Sequence, residues 1–379
     1  MKKLVIPTGI AFSIIILLGI CTLVAIPELS AIKNSPTQYT NNNKDPDILV
    51  FISPQYSNDE EIKVSINNYA TAVKEDINWN IKIIPLTQNQ NDYTKIDEII
   101  EEHYEQNEIK ACIMVGEDID TALGGSNSYM KKPSTVPWET IGGEDSYEQS
   151  IHGIVCKPYQ IKICISLIYP TSDQDFFTKK QQIINAFNKF SSQRKIRLDK
   201  QILAFESSDI NTNSKEIYNS IGNYGNLYYK QDPTDLEIEK SKTFSYSMYF
   251  VHGHSNPSGT DTAAGIDGWF SADYVDQIDT PLFGADGCYV GGWWTNQPDT
   301  NTLAPSISST WYGSKIFTSK NIIVMVLGLL SQNGLSYPVS FIENAIPEIL
   351  NGKTVAESVI GDTYIGDTTI IGDPTFHYD

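Results

Sequence analysis

Two short apolar runs in the second half of the chain end on residues able to do nucleophilic chemistry. Met248-Tyr249-Phe250-Val251 breaks at His252-Gly253-His254, and Pro281-Leu282-Phe283-Gly284-Ala285-Asp286-Gly287 runs into Cys288, followed by Tyr289-Val290-Gly291-Gly292. A cysteine attacks as its thiolate, so it needs a base or an ion-pair partner beside the sulfur. If the two runs are neighbouring parallel strands ending on one sheet edge, an imidazole and a thiol stand side by side. Gly253 and Gly287 let backbone approach closely without a Cβ clash. The N–H of Cys288 and one beside the His-Gly turn are then placed to hold an oxyanion.

Other chemistries compete for the same residues. A thiol among glycines is also a common core residue, and a turn histidine needs no catalytic role. His252-Gly253-His254 has the spacing of two metal ligands on one strand face. Metal hydrolases with that start add an Asp two residues later and further histidines. Here Asn256 takes that place, and His103, His152 and His377 are scattered. A serine hydrolase elbow is absent, because Gly124-Gly125-Ser126-Asn127-Ser128 lacks its final glycine. No phosphate-binding or dinucleotide glycine motif is present either. The thiol reading leads.

The elements that must position these residues follow a βα rhythm. Ile48 to Ile52, Ile81 to Ile84, Ala111 to Val115 and Ile161 to Leu167 read as short buried strands. Ile62, Ile66, Tyr69, Ala70 and Val73 share a helical face, as do Ile96, Ile99, Ile100 and Tyr104, and then Ile183, Ile184, Phe187 and Phe190. Gln201 to Phe205 opens a second set, with a helix around Ile217 and Ile221 and a Tyr-rich stretch at Tyr224, Tyr228 and Tyr229. Asn321 to Leu330 reads as a central strand, and Phe341, Ile342, Ala345 and Ile349 as a helix. Such alternation predicts an α/β fold, a mostly parallel sheet flanked by helices. Residues 117–155, rich in Gly, Ser, Pro and Thr, are expected as a long loop at strand carboxyl ends, where such sheets bind ligands.

With 46 acidic and 27 basic residues the net charge is −19, a surface that repels phosphate backbones and argues against nucleic acid as a partner. Met1-Lys2-Lys3 precedes an uncharged apolar run from Leu4 to Ile26, long enough to span a hydrocarbon core of about 30 Å. Residues 1–26 are therefore expected to be a signal anchor with the lysines inside, or else a cleaved signal peptide. Residues 27–46 follow as a polar linker. Either way the body is expected outside the cytoplasmic membrane, single-pass anchored or secreted. Five cysteines are too few for a disulfide scaffold. Cys156 and Cys164 flank Lys157-Pro158-Tyr159-Gln160 and are read either as one bridge across a hairpin or as two small buried side chains.

Taken in order, these segments resemble the caspase-like cysteine peptidases, and within them the gingipain-like branch. Phe250-Val251-His252-Gly253-His254-Ser255 is similar to that branch's strand ending in Gly-His-Gly-Ser. Ala285-Asp286-Gly287-Cys288-Tyr289-Val290-Gly291 resembles its Cys-x-x-Gly segment, and Gly372-Asp373-Pro374-Thr375 its terminal Gly-Asp-Pro-Ser/Thr. Ile113-Met114-Val115-Gly116-Glu117-Asp118 resembles its Val-Gly-Asp strand end, and Glu144-Asp145-Ser146-Tyr147 its Asp and Tyr before a hairpin. The likeness spans residues 47–379.

That resemblance implies a cysteine endopeptidase with the caspase–hemoglobinase fold in two subdomains, residues 47–200 and a catalytic 201–379. Cys288 would be the nucleophile. The histidine motif departs from the branch, and both imidazoles stay open. His252 keeps the following glycine, and His254 keeps the preceding glycine and the downstream spacing. Gly253 and Cys288 would supply the oxyanion N–H groups, and Glu206 is the positional candidate for an acid that orients the histidine. The substrate class implied is protein or peptide. No cofactor or catalytic metal is implied; structural calcium on the acidic loops is, because relatives use it. The competing class is a gingipain-like surface protein that kept the fold for binding or scaffolding and lost the chemistry, a reading motivated by the shifted histidine motif.

Overall fold

A computed structural model describes residues 45–124, 132–141, 147–150, 153–156, 161–197, 201–209, 221–223, 225–263, 268–287, 291–296, 303–328, 344–361 and 368–379. The apolar run from Leu4 to Ile26, the polar stretch after it and most of the helix expected around Ile217 lie outside the described residues. No helix among the described residues is long and apolar enough to cross a membrane.

The strands of the main sheet are β1 (Ile48–Ile52), β2 (Ile81–Pro85), β3 (Ala111–Val115), β4 (Cys164–Ile168), β5 (Gln201–Glu206), β6 (Asn226–Gln231), β7 (Met248–His252), β8 (Leu282–Asp286), β9 (Val324–Gly328) and β10 (Thr368–Gly372). They lie in the order β6-β5-β7-β8-β9-β10-β4-β3-β1-β2. β1, β3, β4, β7, β8 and β9 are buried along their whole length, which is why each reads as a mainly apolar run, interrupted by Ser166 on β4 and closed by His252 on β7 and Asp286 on β8.

Helices cover the faces. In α1 (Glu60–Ile77) the Asp59 carboxylate accepts the N–H groups of Glu61 and Ile62, and Asn78 ends the helix in the left-handed region at φ 62°. In α2 (Tyr93–Asn107) the cap is Asp92, and in α3 (Phe176–Ser192) it is Asp175. The α1 stripe Ile62, Ile66, Tyr69 and Val73 is buried, and Tyr69 packs on Phe187 and Phe190 of α3, ring centroids 5.5 and 6.1 Å apart. Each such side chain taken fully out of water contributes about 1.5–3 kcal/mol.

The sheet changes direction once. Neighbours are parallel from β6 through β9 and again from β10 through β2. Between them β9 and β10 run antiparallel, Val324 opposite Gly372 and Gly328 opposite Thr368. The two half-sheets therefore point their carboxyl ends at opposite edges. This alters one expectation: the 117–155 segment does follow β3, but it leaves the sheet at the edge opposite to the ends of β7 and β8. Its described parts are two small hairpins and the turn of helix Val136–Glu139, which buries Trp138.

Of the two readings of Cys156 and Cys164, the bridge falls. Cys164 is a free, buried thiol on β4, and burial pushes its pKa up. Cys112 on β3 is likewise free and buried. Both are core side chains of the N-terminal half-sheet.

Candidate active site

β7 and β8 are neighbours, parallel and in register from Met248 opposite Leu282 to His252 opposite Asp286. On the other side of β7, β5 places Glu206 opposite His252. In-register residues on adjacent strands share a face, so three ionisable side chains form one row across three strand ends. His252 Nδ1 is 3.1 Å from Glu206 Oε1, and its Nε2 is 3.0 Å from Asp286 Oδ2. The second contact has ion-pair distance without the alignment of a hydrogen bond. Glu206, His252 and Asp286 are each 1% exposed. Tyr229 on β6 extends the row by donating its hydroxyl to Glu206 Oε2.

Electrostatics decide the state of His252. Burial alone depresses an imidazole pKa, but the Asp286 and Glu206 carboxylates outweigh it and the pKa is pushed up to about 9. At neutral pH the ring is an imidazolium with both nitrogens facing carboxylates. It has no lone pair to offer a thiol.

The second candidate sits differently. His254 opens the strand His254–Asn256 and its side chain is 65% exposed, with Nε2 3.6 Å from Asp209 Oδ2. Two histidines that look interchangeable in sequence are thus a buried cation and an open imidazole. Glu206, read from the sequence as the candidate acid beside the histidine, lies against the buried His252 and not against His254.

Gly253 is corrected as an oxyanion donor. Its N–H is taken by the carbonyl oxygen of Asp286 at 3.1 Å, one more rung of the β7–β8 ladder. Both glycines of the site are sterically required. A Cβ on Gly253 would lie 1.7 Å from the carbonyl oxygen of Asp261. Gly287 has φ +152°, and a Cβ there would lie 1.9 Å from Ser255 Oγ and 2.1 Å from the Gly253 carbonyl oxygen. Cys288, with its expected nucleophile and oxyanion roles, lies outside the described residues, as do residues 289 and 290. The described chain resumes at Gly291, whose N–H donates to the carbonyl of Gly328 at the end of β9.

No protein-family model matches this chain, and no curated protein sequence does. Solved structures do. The crystal structure of the Arg-specific cysteine proteinase gingipain R (RgpB) aligns with a TM-score of 0.60 at 14% identity, over 88% of this chain and 78% of its own. The complex of the Porphyromonas gingivalis RgpB pro- and mature domains aligns with a TM-score of 0.56 at 15% identity, over 87% and 79%. The fold is the caspase-like fold of gingipain R.

Within this gingipain-like fold a small antiparallel sheet continues from β7. His254–Asn256 pairs with Gly259–Asp261, which pairs with Trp269–Ser271. His254, Asp261 and Trp269 are cross-strand partners on one face, and Trp269 is 43% exposed. Thr260 and Phe270 face the core, where Tyr312 donates its hydroxyl to Thr260 Oγ1 at 3.1 Å and to the Phe270 carbonyl at 3.0 Å. Sequence reasoning missed this sheet, whose period-2 alternation is short and carried by Thr, Asp and Gly. The alternation of Trp269, Phe270 and Ser271 beside Thr260 was the available signal.

Metal-ligand geometry falls elsewhere. Among the described residues, Asp76, His377 and Asp379 bring ligand atoms within 4.8 Å of one another. Arg194 already holds Asp76 Oδ2 at 2.7 Å, so a guanidinium takes the place a cation would need.

Proposed function

We propose that this protein is a cysteine endopeptidase in which Cys288 attacks the peptide carbonyl and His254 is its acid–base partner. The observation that carries the reading is the register of β7 and β8. His252 lies opposite Asp286, Gly253 is bonded to Asp286, and Gly287 packs on Gly253 and Ser255. Two residues beyond His252 and Asp286 in the sequence stand His254 and Cys288.

In this reading the His254 imidazole takes the proton from Sγ as sulfur adds to the carbonyl carbon. The same proton then passes to the leaving amine as the C–N bond breaks, leaving a thioester on Cys288. Water, deprotonated by His254, hydrolyses that thioester and restores the thiol. The N–H of Cys288 would hold the oxyanion. Asp209 stabilises the His254 imidazolium only modestly, since both side chains are exposed and such pairs are worth about 0–1 kcal/mol. Protein or peptide is the substrate class. Gingipain R's preference for arginine is not carried to this chain. The start Met1-Lys2-Lys3 with the run from Leu4 to Ile26 supports placement outside the cytoplasmic membrane, anchored or secreted.

A second reading has its own observation. Gly253 spends its N–H on Asp286 and His252 is locked between carboxylates, which fits a gingipain-like binding or scaffold protein without peptidase activity. Labelling with a peptidyl-acyloxymethyl-ketone probe separates the two. The peptidase reading expects labelling of wild type that disappears in Cys288→Ala; equal labelling of both proteins would reject it.

A further inference from the structure

The row Glu206–His252–Asp286 is not used in the chemistry above, and it is costly. Each buried charge carries a desolvation penalty of several kcal/mol, so a row of apolar side chains would hold three strands together more simply. What distinguishes the row is its place. Glu206, His252 and Asp286 are the last residues of β5, β7 and β8, and all are buried. The next residue on β7 and on β8 is a glycine with no space for a Cβ, and the residue after each is His254 and Cys288.

One cation between two anions is also a directional tie. The imidazole ring reaches Glu206 through Nδ1 and Asp286 through Nε2, on opposite sides. It therefore resists both spreading and sliding of β8 against β7. A hydrophobic contact resists spreading only, since it is non-directional.

We propose that the Glu206–His252–Asp286 row is an ionic tie that positions His254 against Cys288, with His252 a positioning residue rather than a catalytic one. The proposal rests on the cysteine-peptidase reading for its effect on rate, but the tie itself is measurable without it. Glu206 faces His252 from β5 and Asp286 from β8, while Tyr229 on β6 faces Glu206. Asp209 and His254 belong to the exposed rim, 3.6 Å apart. Deprotonation of His252 as pH rises through about 9 removes the cation and leaves two facing carboxylates. The tie then opens from the alkaline side.

The test uses the full chain and two variants. His252→Gln alone removes the imidazolium from between Glu206 and Asp286 and is expected to unfold readily. The double variant His252→Gln, Asp286→Asn removes the imbalance and is expected to fold. Hydrogen–deuterium exchange then reads the tie directly: the Gly253 amide, bonded to Asp286, should exchange at least tenfold faster in the folded double variant. Unchanged exchange there would overturn the tie. On rate, the double variant should lose at least tenfold in kcat with KM within twofold, and its alkaline limb near pH 9 should vanish. Faster exchange with wild-type kcat and an unchanged limb would make the tie merely structural and overturn the positioning role. If instead wild-type Cys288 alkylates no faster with iodoacetamide than a free cysteine, the peptidase reading fails. The exchange measurement would still decide the tie.

Discussion

The hydroxyl of Tyr69 donates to Oδ1 of Asp373, 304 residues further along the chain, at 2.5 Å. The same Oδ1 accepts the N–H of Thr375 at 2.8 Å and its hydroxyl at 2.6 Å, while Oδ2 takes Arg194 Nη1 at 2.8 Å. Arg194 also reaches Thr375 Oγ1 and Asp76. The Gly372-Asp373-Pro374-Thr375 motif, picked out by family resemblance, is therefore a knot joining α1, the end of α3 and the segment after β10. Removing one member of a buried charge pair costs about 3–5 kcal/mol, because the partner is left uncompensated. Asp373→Ala should lower the unfolding free energy by about that much in denaturant titration. Activity per folded molecule should stay as in wild type, since the knot lies outside the candidate site.

The two histidines should part in a mixed peptide-library assay. His254→Ala is expected to abolish turnover while leaving the melting temperature nearly unchanged, because the side chain is mostly exposed. His252→Ala is expected to lower the melting temperature strongly, since two buried carboxylates lose their cation. Full turnover in His254→Ala would remove that residue from the mechanism.

Much of this arrangement was legible because buried parallel strands write themselves as apolar runs. β7 and β8 were expected as neighbours with the His and Cys segments at their ends, and His252 opposite Asp286 bears out the pairing. Direction was not legible. Nothing in Val324–Gly328 or Thr368–Gly372 records that these strands run antiparallel, yet that one pairing sends the 117–155 segment to the far edge. The edge strand β6 was hidden too, because its half-exposed residues, Tyr228 and Tyr229 among them, form no apolar run. The roles of the two histidines depended on contacts across strands. Glu206, 46 residues upstream, and Asp286 make His252 a cation, and neither lies near it in sequence.

Gly287 should tolerate no side chain. At φ +152° an L-residue is strained, and its Cβ would overlap Ser255 Oγ and the Gly253 carbonyl oxygen. Gly287→Ala is expected to destabilise the fold and to lose probe labelling of Cys288 in whatever folded fraction remains. Adding Ser255→Gly removes the hydroxyl overlap but not the carbonyl one, so it should restore little. Recovery of wild-type labelling in that double variant would show the side chain, not the backbone approach, to be limiting.

Stability should carry the signature of His252. Its folded-state pKa is raised from 6.5 to about 9, so the folded state holds a proton that the unfolded chain has released. At about 1.4 kcal/mol per pKa unit the gain is roughly 3 kcal/mol. It is fully present below pH 6.5 and is lost as pH rises through about 9. Lys189 works in the opposite sense. Burial pushes its ammonium pKa down from 10.5 to about 7, so its cost to folding shrinks as pH rises across that span. Subtracting the unfolding free energy of the His252→Gln, Asp286→Asn variant from that of wild type at each pH cancels Lys189, which both share. The difference should be level to about pH 6.5 and fall by about 3 kcal/mol toward pH 9. A difference that stays flat over that range would mean that His252 is not held as a cation between its two carboxylates.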